Sequence, residues 1–452
     1  MKKRMFYLLL WTLVLMMLPW CAALAEGQSG RLVLTPADAD EWIQTFLGDH
    51  PEALDGAWAM TAQMKMATLL SGGMKGLAQS LASLGKAEQI GAAYAGELKG
   101  YQVFYIPCVF SVMPVDLILV TEEGAIAGLQ TGPYTGGREE AASDGLERKA
   151  LALPVPALNG ELPGTLTLPK GDGPFPAVVL LQGSGPSDRD ETIGQLKPFR
   201  DLAEGLAERG IAVYRFDKRT YVYGAELAGR KDISLVDETI EDAVHAVQLL
   251  ARQEKIDPDR IYVLGHSLGG NAVPAIAREL EKIHQAVGGF IMMAASPRPM
   301  EELMREQYDF LYSLLPQVTA EQQAEKDALF AELDKLRDLD SLTEDDMVAG
   351  VYLSYWKWLA KYDILEAARE IRQPVLLLQG EEDYQVTMTD FALWKEAVGQ
   401  KENWRLISYP GLTHCFTAGQ KSEGAAAYAR PARVDEGVIR DIAMFITGNS
   451  GK

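Results

Sequence analysis

The sequence predicts an α/β protein, with a mainly parallel sheet covered by helices on both faces and a smaller α+β unit ahead of it. Three observations carry that reading. Short apolar, β-favouring runs alternate with amphipathic stretches from about residue 177 to residue 446, and such repetition builds a parallel sheet with helices on both sides. The run 177–181 is apolar without a break, as a strand buried on both faces must be. The run 261–264 enters Gly265-His266-Ser267-Leu268-Gly269, and a helical pattern begins at once.

The chain has 452 residues, 48% hydrophobic and 23% charged, enough for two domains and a large core. Its net charge of −20 excludes nucleic acid as an expected partner, because phosphates demand a basic face. Residues 1–25 read as a signal peptide. Met1-Lys2-Lys3-Arg4 is a basic start, residues 5–18 are almost wholly apolar, and Ala23-Leu24-Ala25 fits a small-x-small cleavage site before Glu26. The apolar run is shorter than the ~20 residues of a membrane span. Cleavage after Ala25, a secreted or extracytoplasmic protein and no stable span in the mature chain are therefore expected. Trp20 before Cys21 is too bulky for a lipoprotein site. Cys108 and Cys415 fall in different domains and read as buried free thiols; a bridge requires Cα atoms within ~7 Å.

Residues 27–130 read as the α+β unit. Helices are expected at 36–47 and within 51–84, the second interrupted at Gly72-Gly73 and presenting Met60, Met64, Met66 and Leu69 on one adaptable face. Strands are expected at 92–98, 103–109, 115–120 and 125–129. No residue pattern here points to chemistry. Residues 131–147, rich in Gly and Glu, read as a linker.

The second domain, 148–448, opens with an expected hairpin of 151–156 and 162–168 around Asn159-Gly160. Strands then follow at 177–181, 211–216, 261–264, 289–295, 375–378 and 405–409. Helices are expected at 199–209, 233–251, 268–283, 391–398 and 434–446. Residues 297–373 break the alternation. They are helical in pattern, acidic, and end in Tyr352, Tyr355, Trp356, Trp358 and Tyr362. They read as a lid whose aromatics either shape a pocket or form its own core. The acidic run 338–346 reads as a solvated face.

Gly-x-Ser-x-Gly between a strand and a helix is a nucleophile elbow, a sharp turn that lifts a serine hydroxyl above the sheet. Ser267 is the candidate nucleophile, and it needs a base oriented by an acid. Of five histidines, His50 lies in the first domain, His245 in a helix and His284 at a helix end. His266 is expected to point away from Ser267. His414, in the loop after a late strand, is the suitable base. Glu381, Glu382 and Asp383 compete as the acid. Asp383 is preferred, because a glycine shortly before it and an apolar residue three after it suit an acid-bearing loop. The order Ser267, Asp383, His414 is that of α/β-hydrolases. Oxyanion donors are expected from the N–H of Leu268 and, in the loop Gln182-Gly183-Ser184-Gly185-Pro186, from the N–H of Ser184.

On the stretches P-A-V-V-L-L-Q-G-S-G-P-S-D-R-D-E, Y-R-F-D-K-R, G-H-S-L-G-G-N-A-V-P-A-I-A and P-V-L-L-L-Q-G-E-E-D-Y-Q-V, residues 151–446 resemble the bacterial α/β-hydrolase esterases. Those are related to dienelactone hydrolases and prolyl-oligopeptidase-type catalytic domains. The first unit resembles the small domain that precedes some secreted bacterial esterases. Gln182 stands where many relatives carry His, and Thr220 where relatives carry Gly. The resemblance implies the α/β-hydrolase fold and a secreted serine carboxylesterase acting on a small-molecule ester through an acyl-enzyme, with no metal or cofactor. Two alternatives stand beside it. A serine peptidase would use the same machinery, although the region ahead of the hydrolase domain is too short for a gating propeller. A non-catalytic binding protein would keep the fold without the activity. The sequence sets neither the natural substrate nor the oligomeric state.

Overall fold

The computed structural model describes residues 31–81, 84–98, 101–111, 114–132, 145–227, 229–315 and 317–448. The expected signal peptide and most of the expected linker lie outside them. The described chain divides into two compact units. One holds residues 31–132 with Ile193–Gln195; the other holds the rest.

The first unit packs helices against an antiparallel sheet. Tyr101–Phe110 pairs with Ala87–Ile90, with Tyr94–Leu98 and with Pro114–Glu122, which pairs in turn with Ala125–Gly132. Thr35 caps the helix Pro36–Phe46 in a capping box, satisfying amides that a helix start leaves unpaired. Its buried face carries Trp42, Ile43 and Phe46. The second helical region is three pieces, Pro51–Leu54, Ala62–Leu70 and Gly73–Gln79. Gly72 and Gly73, both at φ 86°, turn the chain in the left-handed region that suits glycine. The expected methionine face is corrected here. Met60 and Met64 are buried, whereas Met66 and Leu69 are exposed. Met60 precedes the Thr61 cap, so it never shares the helix period with the others.

The second unit is built on eight strands, here β1 (Glu147–Ala150), β2 (Gly164–Leu168), β3 (Phe175–Leu181), β4 (Ala212–Phe216), β5 (Ile256–His266), β6 (Gly289–Met293), β7 (Val375–Gly380) and β8 (Trp404–Tyr409). Their order is β1-β2-β4-β3-β5-β6-β7-β8. All neighbours are parallel except β2, which runs antiparallel to β1 and β4. The expected opening hairpin is corrected: Leu153–Val155 pairs with Gly160–Leu162 in a small separate ribbon, while 164–168 joins the main sheet. Pro163 separates the two at a sequence level that apolar periodicity does not resolve. The linker expected at 131–147 is shorter at both ends, because residues 131–132 and 147 are already strand.

Period-two alternation divides the central strands between two cores. Val179 and Val263 face one core with Ala243, Val247, Ala272 and Ile276. Val178, Leu180 and Leu264 face the other with Phe199, Leu206, Val438 and Ile442. The covering helices are α1 (Pro198–Ala207), α2 (Glu241–Leu250), α3 (Leu268–Lys282), then α4 (Met300–Ser313), α5 (Ala320–Asp334), α6 (Leu353–Lys361) and α7 (Ile364–Glu370), and finally α8 (Met388–Val398) and α9 (Glu436–Thr447). Helices α4 to α7 lie between β6 and β7. Leu329, Leu333, Val348 and Trp356 form their own small core, and Tyr355, Trp358 and Tyr362 pack on the main one.

Tyr362 does more than pack. Its hydroxyl donates to Asn271 O at 3.0 Å and accepts from Ala275 N at 3.1 Å. It thus stands between the two ends of one helical hydrogen bond of α3, next to Pro274. No described helix is long and apolar enough to cross a membrane. Cys108 and Cys415 are free and buried, one in each unit.

Candidate active site

The turn from β5 to α3 is as tight as Gly-x-Ser-x-Gly demands. Ser267 sits at φ 53°, ψ −119°, a conformation L-residues adopt only under strain and one that marks functional sites. Glycine is required around it. A Cβ on Gly265 would fall 2.1 Å from Gly269 O, and one on Gly269 would fall 2.4 Å from Leu181 O. Ser267 N donates to Met293 O at 2.8 Å, which ties the elbow to the end of β6. Leu268 opens α3, so its N–H is one of the first-turn amides that have no partner inside the helix.

His414 and Asp383 come together from the loops after β8 and β7. His414 Nδ1 lies 2.7 Å from Asp383 Oδ2, and both residues are buried. The amides of Gln385 and Val386 donate to Asp383 Oδ1 at 2.7 and 3.0 Å, and Gln379 Nε2 donates to Oδ2 at 3.2 Å. Four donors thus converge on one buried carboxylate. Glu381 and Glu382 are turned elsewhere, towards Ser408 Oγ and Lys421 N. With Nδ1 held by Asp383, Nε2 of His414 is the nitrogen left for the serine. No direct hydrogen bond joins Ser267 to His414 among the described residues; such bonds are often long without substrate and tighten when it binds.

The loop after β3 passes directly against the serine. A Cβ on Gly183 would lie 3.2 Å from Ser267 Cβ and 3.6 Å from its Oγ. Ser184 is exposed, and no backbone acceptor takes its N–H among the described residues. Gln182 roots the loop: its Nε2 donates to Phe216 O at 2.6 Å and to Asp188 O at 3.2 Å. Thr220 Oγ1 lies 3.4 Å from Gly185 O.

Glu191 and the contacts of His266 escaped the sequence reading. His266 is aimed at the base loop. Its Nε2 lies 3.0 Å from the carbonyl of His414, its Nδ1 lies 2.9 Å from Glu191 Oε1, and its ring centre is 4.6 Å from that of His414. Both nitrogens face acceptors, so His266 cannot be the base. Burial opposes its charging, but the Glu191 carboxylate, the His414 carbonyl and the Asp383 carboxylate together outweigh burial, and the net shift is upward from the ordinary histidine value. Glu191 Oε1 also accepts from Gly183 N at 2.7 Å. One carboxylate therefore joins the loop beside the serine to the histidine beneath it. As expected from its place in the elbow, His266 points away from Ser267, but nothing in the sequence names Glu191 as its partner.

A cavity of about 410 Å³ opens between the 297–373 insertion and the start of α3. Its walls include Leu268, Asn271, Ser296, Met300, Trp356 and Tyr362. It is mostly apolar and reaches the residue that follows the serine.

The chain is similar to several known hydrolases. The family model described as serine aminopeptidase, S33, matches residues 193–420. The esterase EstD of Thermotoga maritima is 36% identical over 330 residues, 73% of this chain and 76% of that protein. Among solved structures, an esterase from Pyrobaculum calidifontis is 16% identical with a TM-score of 0.44, over 67% of this chain and 85% of its own. Est1E from Butyrivibrio proteoclasticus is 17% identical with a TM-score of 0.40, over 65% of this chain and 99% of its own. The chain belongs to the serine aminopeptidase S33 family of the α/β-hydrolase superfamily, and is an esterase-type hydrolase of it.

Proposed function

We propose that the protein is a secreted carboxylesterase in which Ser267 is the nucleophile, His414 the general base and Asp383 the group that orients it. The buried His414–Asp383 pair, 2.7 Å apart at the ends of β8 and β7, is the observation that carries this reading. Ser267 Oγ attacks the ester carbonyl while His414 Nε2 takes its proton. The proton then passes to the departing alcohol, and water, activated in the same way, releases the acid. Asp383 holds Nδ1–H and so fixes the productive tautomer. The N–H groups of Leu268 and Ser184 receive the charge that forms on the carbonyl oxygen. The cavity beside Leu268 suits an apolar acyl or alcohol group of a small-molecule ester.

Covalent labelling by a fluorophosphonate tests the assignment. The wild-type chain should gain one adduct on Ser267, and Ser267→Ala should gain none; an adduct that persists in the variant overturns it. The family description favours a second reading, a serine aminopeptidase, whereas the Thermotoga relative is named an esterase. Turnover of p-nitrophenyl butyrate against aminoacyl p-nitroanilides by one preparation separates them, and the ester should dominate. Export is supported by the basic–apolar–Ala-x-Ala start of the sequence; its product should begin at Glu26 by terminal sequencing.

A further inference from the structure

Lys218 follows β4 by two residues and is almost completely buried. Its Nζ donates to the carbonyl of Gly183 at 2.6 Å and to Glu238 Oε1. Glu238 uses its other oxygen for Tyr355 of α6, whose hydroxyl donates to Oε2 at 2.6 Å. A buried ammonium is costly to desolvate, and this one is directed at a single backbone carbonyl beside the nucleophile.

That carbonyl belongs to the same peptide plane as the N–H of Ser184. The Gly183–Ser184 bond is trans, and in a planar trans peptide C=O and N–H point in opposite directions. Holding the oxygen from one side therefore aims the Ser184 N–H to the other. The preceding peptide is held as well, because Gly183 N–H is taken by Glu191 Oε1. Gly183 is pinned at both ends. Its own N–H is spent, and the next N–H along the loop is the one left for a substrate oxygen. A cation at the carbonyl also polarises the amide and strengthens its N–H as a donor.

We infer that Lys218 is a positioning residue for the oxyanion hole, and that Tyr355, acting through Glu238, lets the helical insertion set how well the Ser184 N–H is aimed. The series Tyr355, Glu238, Lys218, Gly183, Glu191, His266, His414 is continuous from insertion to base. Contacts of the insertion with a bound ester are thereby linked to the donor that stabilises its transition state. This inference rests on the serine-esterase reading of the site.

The test uses the full chain and two probes: p-nitrophenyl butyrate for kcat and KM, and an aryl trifluoromethyl ketone, whose adduct with the serine carries an oxyanion. Removing an oxyanion donor outright costs about 10²–10³-fold in kcat, and disordering its aim should cost less. Tyr355→Phe should lower kcat about tenfold with KM nearly unchanged, and weaken the ketone by the same factor. Lys218→Met should lower kcat and ketone affinity further, by about thirtyfold. Tyr355→Phe removes only a hydroxyl, so it decides the matter even if Lys218→Met does not fold. Wild-type kcat in Tyr355→Phe, a rise in KM alone, or a fall in kcat with ketone affinity intact would each overturn the inference. Ester turnover that survives Ser267→Ala would instead overturn the reading beneath it, whatever the other variants do.

Discussion

Of the three carboxylates after β7, Asp383 alone has the surroundings that the proposed acid needs. Glu382 is its neighbour in sequence, yet Asp383 alone receives two backbone amides, Gln379 and His414. In other serine triads, replacing the acid by its amide leaves geometry intact and costs about 10⁴ in kcat. Asp383→Asn should lose a comparable factor on p-nitrophenyl butyrate, and Glu382→Gln should stay within about twofold of wild type, because its carboxylate caps a surface amide. Steady-state kinetics of both variants decide the assignment; the opposite order would move the acid to Glu382. At this scale the sequence was informative wherever a role follows from position along the chain. Ser267 lies in a motif whose glycines have steric reasons, and Asp383 and His414 follow late strands. It was uninformative wherever a role depends on which distant side chain a residue meets. His266 and Glu191 are 75 residues apart, and only folding brings them into contact. Lys218, at a strand end, carried no sign that it would find the carbonyl of Gly183.

Among elements, the link between α3 and the insertion is the least ordinary. Pro274 lies within α3, and the hydroxyl of Tyr362 occupies the gap between Asn271 O and Ala275 N. A side chain inserted into the helical ladder bends a helix, and here it fastens the insertion to the helix that starts at Leu268. Tyr362→Phe leaves the ring in place and removes both bonds. It should lower unfolding free energy by about 1–2 kcal/mol, measured by urea denaturation, with a smaller loss if Ala275 N bonds Asn271 O instead. The elements themselves were mostly legible. Buried parallel strands are unbroken apolar runs, and amphipathic helices reveal their period. The failures have local causes. Ala87–Ile90 was missed because its sequence, A-E-Q-I, carries no apolar alternation. The opening hairpin was drawn too long because Leu162 and Leu166 are both apolar, although they belong to different sheets.

At the scale of the whole molecule, a buried carboxylate makes stability depend on pH. Asp201 of α1 accepts from Val434 N at 3.1 Å, just ahead of α9. Burial pushes its carboxyl up to about 6 from an ordinary 3.8, against the pull of that amide. The folded chain therefore holds this proton more tightly than the unfolded chain. As pH rises from about 4 to about 6 the unfolded state loses it first, and stability falls; above about 6 the penalty is constant, about 3 kcal/mol. Asp201→Asn carries no such charge. Its stability relative to wild type should rise by up to about that amount between pH 4 and pH 7 in chemical denaturation, and a flat difference would show that Asp201 does not titrate in this range. Division into an α+β unit and an α/β unit could be read from a change of pattern along the chain, whereas the order of strands in the sheet could not, since it is decided by how crossovers pack.

Among the described residues, each of the two units encloses one thiol. Burial raises Cys108 to about 12 and holds Cys415 well above the ordinary cysteine value. Only a thiolate attacks an alkylating reagent, so within these units a sulfur can react only after its own surroundings open. The described chain therefore carries two clocks, one in the small unit and one directly beside His414. Their separate rates distinguish a chain that opens as one body from a chain whose halves come apart in turn.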